Sequence, residues 1–380
     1  MIYLDNSATT YPKPPEVIRA FRSAPQYYGF NPGRGGYRRS LKTAQKVYEA
    51  RETVRKFFHM SSIESVIFVP SCTQALNTVI KGVLKKGDHV IISSYEHNAV
   101  ARPIHKLQQE GIITYSVAQA DINDADKTVE NFRRLINART KLIVCTHASN
   151  VFGYRLPVER LCALAHSNGL LFCLDAAQSA GILPIDMERD RYDFVCCAGH
   201  KYLYGPMGIG LLLIGNDNDV ESLIEGGTGS VSDDLSMPSF YPDKLEAGTM
   251  NIAGIIGLQS GVNFVAKKGI DRIFESENRL IDYLSKRLSA FRHIKVFRPA
   301  ANSFYHTPVL SFTAEDKDSE TIVKYLSEKH DIAVRGGLHC APLAHRSMNT
   351  QETGTVRISP SVFTTQNDMD LLIDSLRKFR

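Results

Sequence analysis

Short apolar segments alternate with amphipathic segments along residues 40–215. The apolar segments carry β-branched residues, as in Val66–Val69, and the amphipathic segments repeat apolar residues at helical spacing, as from Leu41 to Phe58. This alternation is typical of a mostly parallel sheet with helices on both faces. It predicts an α/β fold for this part of the chain. The further strands that we predict are residues 89–93, 112–117, 141–146, 170–174, 193–197 and 208–214, the last of them antiparallel.

The remainder of the chain has a different pattern. Glycine and proline interrupt every periodic pattern over residues 226–250, which predicts a functional loop. Beyond it we predict a helical stretch over 252–291, a later helix, a C-terminal helix, and strands near 293–297, 308–312, 332–335 and 355–359. At 380 residues, 43% of them hydrophobic, the chain exceeds one ordinary domain. We predict a large α/β domain over residues 16–255 and a smaller α+β domain formed by residues 1–15 and 256–380.

Charge and apolar patterning exclude several classes of partner. The 45 basic and 40 acidic residues nearly balance, and no long run of one sign indicates binding to nucleic acid. The first residues, Met1–Asp5, lack the basic and apolar segments of a secretory leader. No apolar stretch approaches the ~18 residues of a membrane span. We therefore expect a soluble cytoplasmic protein with neither nucleic acid nor a membrane as its partner.

The seven cysteines predict reduced thiols, because their odd number in a long chain does not suit a disulfide framework. Cys72 and Cys340 lie in polar surroundings that contain glycine or proline, and no cysteine spacing indicates a metal site. The other cysteines lie in apolar segments, where a thiol usually packs as a small apolar group. These predicted core residues are Cys145, Cys162, Cys173, Cys196 and Cys197.

An acid, an amide and a lysine follow two consecutive predicted strands. Asp175 ends one strand region, Gln178 follows shortly after, and His200 and Lys201 follow the next strand. Because the carboxyl ends of adjacent parallel strands meet at one crevice, where α/β sheets bind ligands, we expect these side chains to converge. A lysine near an acid is more often a solvated ion pair, so the prediction depends on the whole group.

Pyridoxal phosphate (PLP) requires a lysine for a Schiff base, an acid beside its pyridine nitrogen, a flat group against the ring and donors for its phosphate. Lys201 and Asp175 meet the first two needs, and His97, which follows the strand at 89–93, can stack on the ring. Cys72 and Thr73 open a predicted helix whose amide groups can bind a phosphate, although Thr73 would otherwise be read as a helix N-cap.

Gly205–Gly210 offers a rival interpretation, a glycine-rich phosphate loop for a nucleotide. The segment lacks the glycine order of a dinucleotide site and the GK[ST] ending of a P-loop, and an apolar strand follows it. We therefore predict a tight turn into an antiparallel strand at this position.

Several segments together resemble one family. They are Leu4–Thr10, Tyr95–Ala99, His147–Gly153, Asp175–Gln178, Gly199–Pro206, Glu246–Asn251 and Arg335–Pro342. In these segments the chain resembles the class V aminotransferase-fold enzymes, and among them the group II (SUF-type) cysteine desulfurases. The resemblance runs nearly end to end. It implies the PLP-dependent aminotransferase-like fold (fold type I), with a mostly parallel mixed sheet in the large domain and a smaller α+β domain.

The resemblance also implies roles for individual residues. The implied catalytic residues are Lys201, which would carry PLP as a Schiff base, Cys340, which would be the nucleophile, and His97, which would position the ring. Arg357 would bind the substrate carboxylate. Positive charge on Arg335 and His339 could lower the pKa of the Cys340 thiol. The further residues implied in binding are Asp175, Gln178, His200, His97, Cys72, Thr73 and Asn150 for the cofactor, with Thr249 from the partner subunit of a homodimer, and Asn150, Arg357, Arg335 and Ala8 for the substrate.

The implied reaction converts L-cysteine to L-alanine with a persulfide on Cys340, which passes sulfur to an acceptor protein for iron–sulfur cluster assembly or a related biosynthesis. Two positions depart from the family pattern: Ala198 stands where many members have a serine, and Gln74 replaces a common glutamate. The alternatives are a selenocysteine lyase, another class V PLP aminotransferase or lyase, and a non-catalytic sulfur-assembly scaffold.

Overall fold

The computed structural model describes residues 1–33, 35–215, 218–298 and 306–379. The strands are β1 (Ile2–Tyr3), β2 (Val66–Val69), β3 (His89–Ser93), β4 (Thr114–Ala118), β5 (Thr140–Thr146), β6 (Leu171–Asp175), β7 (Phe194–Ala198), β8 (Gly210–Ile214), β9 (Ile294–Phe297), β10 (Leu310–Ala314), β11 (Ile332–Ala333) and β12 (Val356–Ile358). The helices are α1 (Pro15–Tyr28), α2 (Arg38–Phe57), α3 (Cys72–Val83), α4 (Asn98–Gln109), α5 (Ala125–Arg133), α6 (Val158–Ser167), α7 (Met187–Asp190), α8 (Ile252–Lys268), α9 (Ile270–Leu288), α10 (Ser319–His330), α11 (Pro342–Ser347) and α12 (Gln366–Lys378).

The largest sheet has seven strands in the order β2-β8-β7-β6-β5-β3-β4. Strands β3 to β7 pair in parallel, and β8 is antiparallel to both of its neighbours. Both faces are buried, since Val66 and Phe68 of β2 pack into one apolar cluster while Ile67 and Val69 pack into another. The predicted α/β architecture is therefore confirmed, and continuous apolar runs reflect strands covered on both sides.

Two smaller sheets contain the remaining strands. β9, β10 and β12 form an antiparallel sheet in the order β12-β10-β9, and β1 pairs in parallel with β11. The N-terminus therefore pairs with a strand near residue 332. A third apolar cluster, which includes Phe312, Leu326 and Leu372, joins these strands to α9, α10 and α12.

The structure corrects two predicted elements. The predicted helical stretch over residues 252–291 is two helices, because Gly269 adopts φ 87° and ends α8 with an N–H···O bond to Val265. The predicted strand at residues 332–335 ends at Ala333, because Arg335 instead forms an isolated antiparallel bridge with Arg357. As predicted, residues 226–250 form neither helix nor strand.

The edge strand β2 is covered by a buried ion pair. Arg51 of α2 donates to Glu246 in two parallel hydrogen bonds of 2.8 Å, and the two side chains are only 8% and 5% exposed. Glu246 accepts from the Phe68 amide at 2.7 Å, while Arg51 donates to the Val66 carbonyl. The pair thus satisfies backbone groups on the free edge of β2 and fixes the end of the 226–250 loop. Within the described residues, no helix is both long enough and apolar enough to cross a membrane.

Candidate active site

A cavity of about 200 Å³ lies at the carboxyl ends of β5, β6 and β7. The sheet brings these ends together because β5–β6 and β6–β7 are parallel neighbours. Most of the residues that the sequence predicted for the cofactor line this one cavity. They are Cys72, Thr73, His97, Asn150, Asp175, Gln178, His200 and Lys201.

Asp175 is the last residue of β6 and only 3% exposed. Its carboxylate accepts from the Ala177 amide at 2.9 Å and from the Cys72 thiol at 3.7 Å. Burial raises the pKa of Asp175, and no cation of the described residues lies within ion-pair distance of it. A buried carboxylate in this state is stabilised by a bound cation such as a protonated pyridine nitrogen.

Lys201 follows β7 and faces the same cavity. Burial lowers the pKa of Lys201, and the nearby charge of Asp175 opposes part of that effect. A lysine with a lowered pKa has a larger fraction of free amine at neutral pH, which is the form that condenses with an aldehyde and that accepts a proton.

Two histidines of the cavity are neutral around pH 7. Burial is the main reason that the pKa values of His97 and His200 fall to about 4. His97 is the N-cap of α4, and its Nδ1 accepts from the Ala99 amide at 3.0 Å, so the ring proton lies on Nε2. His200 Nδ1 is buried and has no partner among the described residues. A neutral imidazole avoids the repulsion that a cation would meet against a protonated pyridine ring.

The amino end of α3 supplies backbone donors to the cavity. Ser71, and not Thr73, is the N-cap, and its Oγ accepts from the Gln74 amide at 3.2 Å. The amides of Cys72 and Thr73 have no hydrogen-bond acceptor among the described residues, as expected in the first turn of a helix. They therefore remain available to an anion, as the sequence predicted.

Glycine is required at position 210 because the start of α3 approaches β8 closely there. A Cβ atom at Gly210 would lie 2.9 Å from the Cys72 amide nitrogen and 2.8 Å from the Cys197 carbonyl oxygen. The glycine-rich segment thus allows α3 to pack closely against β8, and its end is strand rather than the helix start of a phosphate loop. The nucleotide interpretation of Gly205–Gly210 lacks the structural context that it requires.

These observations fit PLP. A buried acid lacks a cation, and the Lys201 amine lies in the same cavity. Polar atoms without partners border the cavity, namely Gln178 Oε1 and His200 Nδ1. Ala198 also lines it and offers no hydroxyl, while the α3 amides, the Thr73 hydroxyl and His200 are donors available to a phosphate there. Within the described residues, no group of three or more His, Cys, Asp or Glu side chains is placed to hold a metal ion.

Cys340 lies on an exposed loop that the backbone ties to this cavity. The Cys340 carbonyl accepts from the Asn98 amide at 2.7 Å, directly beside His97. The preceding carbonyl, of His339, accepts from Asn150 Nδ2 at 2.8 Å. His339 and Cys340 both have positive φ, 49° and 57°, which is uncommon for non-glycine residues and occurs where surrounding contacts hold the backbone.

Of the two cations predicted near the Cys340 thiol, the structure supports one. Arg335 Nη2 lies 3.8 Å from Cys340 Sγ. His339 is not a second cation beside the thiol, because its ring is buried and its Nε2 lies 3.0 Å from the Thr355 carbonyl. Burial lowers the pKa of His339 well below its usual value, so the ring carries no charge near pH 7.

Arg357 is 1% exposed and already has two partners. It donates to Asp5 Oδ1 at 2.5 Å and to the Asn150 carbonyl at 2.9 Å, while its Nε has no partner among the described residues. Asp5 therefore occupies one side of the guanidinium, and the assignment of Arg357 to the substrate carboxylate stays a prediction.

Ala8 and Thr249 lie outside the cavity lining. Ala8 lies in the N-terminal segment next to Ser7, whose carbonyl accepts from Gln178 Nε2 at 3.0 Å. Thr249 is exposed on the 226–250 loop and lines no part of the cavity of its own chain. Its assignment to the site of a partner subunit stays a prediction.

The sequence predictions missed three residues that contact the site. Asp5 pairs with Arg357, Lys13 binds the backbone before Lys201, and Glu96 is buried beside His97. Glu96 accepts from the Thr146 amide at 2.8 Å and from the Ser93 hydroxyl, and so joins the ends of β5 and β3. The available signal for Glu96 was a charged residue shortly after an apolar strand, with Ser94 and Tyr95 between them.

Several known proteins that are similar to this chain are named as cysteine desulfurases. A probable cysteine desulfurase from Methanothermobacter thermautotrophicus is 33% identical over 99% of this chain and 94% of its own length. A probable cysteine desulfurase from Halalkalibacterium halodurans is 32% identical, with 100% and 93% covered. The apo structure of a cysteine desulfurase from Thermococcus onnurineus NA1 superposes with a TM-score of 0.90 at 29% identity, over 99% of this chain and 94% of that one.

The cysteine desulfurase CsdA (S-sulfonic acid) from Escherichia coli superposes with a TM-score of 0.86 at 27% identity, over 99% of this chain and 94% of that one. The predicted PLP-dependent aminotransferase-like fold, fold type I, is confirmed. The sequence profile of the family described as Aminotransferase class-V matches residues 2–372. Since the match spans nearly the whole chain, this protein belongs to the class V aminotransferase family, whose enzymes use PLP.

Proposed function

We propose that this chain is a cysteine desulfurase, which converts L-cysteine to L-alanine and retains the sulfur as a persulfide on Cys340. The observation that carries the proposal is the exposed Cys340 thiol, on a loop whose backbone is bound to Asn98 beside His97. A thiol presented next to a PLP-type cavity is not needed for amino-group transfer, but it is needed to accept sulfur. The full-length relatives named as cysteine desulfurases support the same activity.

The cavity residues divide the task of holding PLP. Lys201 would bind it covalently, Asp175 would keep its pyridine nitrogen protonated, and the amides of Cys72 and Thr73 would bind its phosphate. The bound cofactor withdraws electrons from the α-carbon of the substrate. Gln178 and His200 offer the unpartnered atoms Oε1 and Nδ1 as further polar contacts.

Proton transfer falls to Lys201, and substrate orientation falls to Arg357. The free amine of Lys201, which its lowered pKa favours, accepts the proton from the substrate α-carbon at Nζ. Arg357 binds the substrate carboxylate through the N–H groups that Asp5 and Asn150 leave free.

Sulfur transfer then balances without an external oxidant or reductant. The Cys340 thiolate attacks the substrate sulfur, a sulfur–sulfur bond forms, and the bond between the substrate's β-carbon and sulfur breaks. The electron pair of that bond stays with the β-carbon, which takes up a proton, and Lys201 returns a proton to the α-carbon to yield alanine. Arg335, at 3.8 Å from Cys340 Sγ, stabilises the attacking thiolate.

We further propose a homodimer that shares its active sites through Thr249, and an acceptor protein that receives the persulfide sulfur, for iron–sulfur cluster assembly or a related biosynthesis. Exposed apolar side chains on α2, among them Leu41 and Tyr48 at 58% and 55%, support a subunit contact. The division into residues 16–255 and residues 1–15 with 256–380 belongs to the same proposal, as does the cytoplasm as the location.

The test is turnover of L-cysteine by the purified, PLP-loaded protein with a thiol reductant present. We expect equal amounts of alanine and sulfide. Cys340→Ala should keep the visible absorbance of the cofactor and lose at least about a hundredfold in sulfide release, because the nucleophile is absent. Cys162→Ala, a buried cysteine away from the cavity, is the matched control and should retain turnover.

Three results would contradict the proposal: unchanged sulfide release in Cys340→Ala, a keto acid in place of alanine, or turnover of selenocysteine with none of cysteine. The last two would identify an aminotransferase or a selenocysteine lyase on the same scaffold. A protein that holds no borohydride-reducible cofactor would instead be the non-catalytic scaffold.

A further inference from the structure

The carbonyl oxygen of His200, which belongs to the peptide bond before Lys201, accepts contacts from the N-terminal segment. Thr10 approaches it with its amide at 3.1 Å and its hydroxyl at 3.1 Å, and the Thr9 hydroxyl lies 3.2 Å away. The shortest contact, 2.7 Å, comes from Lys13 Nζ. The Thr10 hydroxyl also lies 3.1 Å from the Lys201 carbonyl. The backbone on both sides of Lys201 is therefore bound from the same direction.

Lys13 points inward although no acid receives it. Among the residues that the structure describes, no carboxylate lies within ion-pair distance of its Nζ, and its second partner is the Thr10 hydroxyl at 2.6 Å. Burial lowers the pKa of Lys13 to about 7. Lysine ordinarily keeps its ammonium in water, so an inward lysine without an acid carries a desolvation cost. The hydrogen bond from Lys13 Nζ to the His200 carbonyl offsets this desolvation cost.

The same segment reaches two other site residues. We call residues 5–13 the N-terminal strap. Ser7 accepts from Gln178 through its carbonyl at 3.0 Å, and Asp5 accepts from Arg357 at 2.5 Å. The strap therefore contacts Gln178 after β6, the backbone of His200 and Lys201 after β7, and Arg357 on β12. Lys13 is the member that binds the backbone of the lysine itself.

We propose that Lys13 is a positioning residue, whose Nζ donates to the His200–Lys201 peptide and so fixes the direction in which the Lys201 amine points. A long, flexible side chain can reach its target reproducibly only from a fixed backbone, and small misplacements of a reacting group are costly in rate. The proposal deepens the proposed function, because it takes from it the role of Lys201 as the amine that binds PLP.

The test compares Lys13→Met, Lys13→Arg and the control Lys86→Met, all loaded with PLP. Lys86 is exposed and lies outside the strap. The decisive readout is amide hydrogen exchange of residues 199–205, followed by the pH titration of the visible band of the Lys201–cofactor linkage. For Lys13→Met we expect at least about tenfold faster exchange in this segment. We also expect a shift of roughly half a pH unit in the titration and a kcat about tenfold lower, with KM little changed.

Lys13→Arg keeps a cation with several donors and should recover most of the protection, while Lys86→Met should match the unmodified chain. Wild-type exchange of residues 199–205 in Lys13→Met would overturn the proposal, even if activity fell. Should methionine prevent folding, Lys13→Gln is measured by the same criterion. Exchange and titration do not depend on which amino acid is consumed, so a failure of the desulfurase assignment would leave this result readable on its own.

Discussion

At Cys340 the exposed thiol and the guanidinium of Arg335 are 3.8 Å apart. A guanidinium at this distance can donate to the sulfur while it attacks an electrophile. We expect Arg335→Met to slow alkylation of Cys340 by iodoacetamide about threefold to tenfold near neutral pH, measured by mass spectrometry of the Cys340 peptide. The other cysteines of the chain are buried and should react far more slowly.

Arg292→Met, which makes the same change in net charge at an exposed position in another part of the sequence, is the control for this experiment. It should leave alkylation within about twofold of the unmodified chain at moderate salt, since exposed charges are screened beyond about one Debye length. Equal alkylation rates in the two variants would show that Arg335 does not stabilise the thiolate.

The residues that sequence reasoning identified and those that it missed differ in kind. Lys201, Asp175 and Cys340 lie in short contiguous motifs, which a reader of the sequence can compare with known chemistry. Lys13 and Asp5 act on partners that lie 187 and 352 positions away in the chain. Their side chains are common polar types, so only the folded backbone shows what they bind.

Among the elements, β3 and β5 are joined at their carboxyl ends by Glu96. This side chain is fully buried, accepts from the Thr146 amide at 2.8 Å and from the Ser93 hydroxyl, and leaves its Oε2 without a partner among the described residues. Burial raises the pKa of Glu96 to about 8, with the charge of Asp175 contributing in the same direction. Glu96 is therefore protonated in the folded protein at neutral pH.

The raised pKa of Glu96 makes stability depend on pH. A group that binds its proton more tightly when folded contributes stability that is fully present below its unfolded pKa, about 4.5, and is lost as pH rises to its folded pKa, about 8. Glu96→Gln mimics the protonated acid and lacks this dependence. We expect the variant to gain stability relative to the parent between about pH 5 and pH 8, by on the order of a few kcal/mol.

Urea unfolding of the two proteins across that range measures this difference. The difference between the two free energies of unfolding is free of the contributions that the other titrating groups make to both proteins. Above about pH 8 this difference should become constant. A difference that does not change with pH would show that Glu96 is ionised in the folded protein. Glu96→Ala, which removes both accepted hydrogen bonds, should be destabilised throughout.

Helices and strands were predictable where their signal lies in the local sequence, and not where it lies in contacts that only the folded chain makes. Strands β2 to β8 were predicted within two residues at each end, because a sheet buried on both faces produces long apolar runs. The break at Gly269 was missed although Lys267 and Lys268 directly before this glycine are a sequence signal of a helix C-terminus. β11 was predicted too long because its end is set by the pairing of Arg335 with Arg357, which only the tertiary structure establishes.

For the whole molecule, the α/β class and the PLP-type fold were predictable from the sequence. The proposed homodimer would depend on surfaces that one chain does not complete. The 226–250 loop is held at its end by the Arg51–Glu246 pair and presents Thr249 outward. If Thr249 completes the site of a partner subunit, two differently inactivated chains can restore one site between them.

We therefore expect that mixing Lys201→Ala and Thr249→Ala chains, by joint refolding or coexpression, recovers about a quarter of wild-type activity. Random pairing makes about half of the dimers mixed, and each mixed dimer has one intact site of two. The mixture of Lys201→Ala with Cys340→Ala should recover nothing, because those residues belong to the same site of one chain. No recovery in the first mixture would remove Thr249 from the shared site.

One measurement tests whether Lys201 and Cys340 together move sulfur from cysteine to the protein. The PLP-loaded protein is exposed to L-cysteine without reductant, quenched, and analysed for alanine and for the mass of its Cys340 peptide. We expect alanine and one added sulfur atom on Cys340 in equal amounts, with neither in Lys201→Ala. Alanine formed while Cys340 stays unmodified, or sulfur bound to another cysteine, would contradict it.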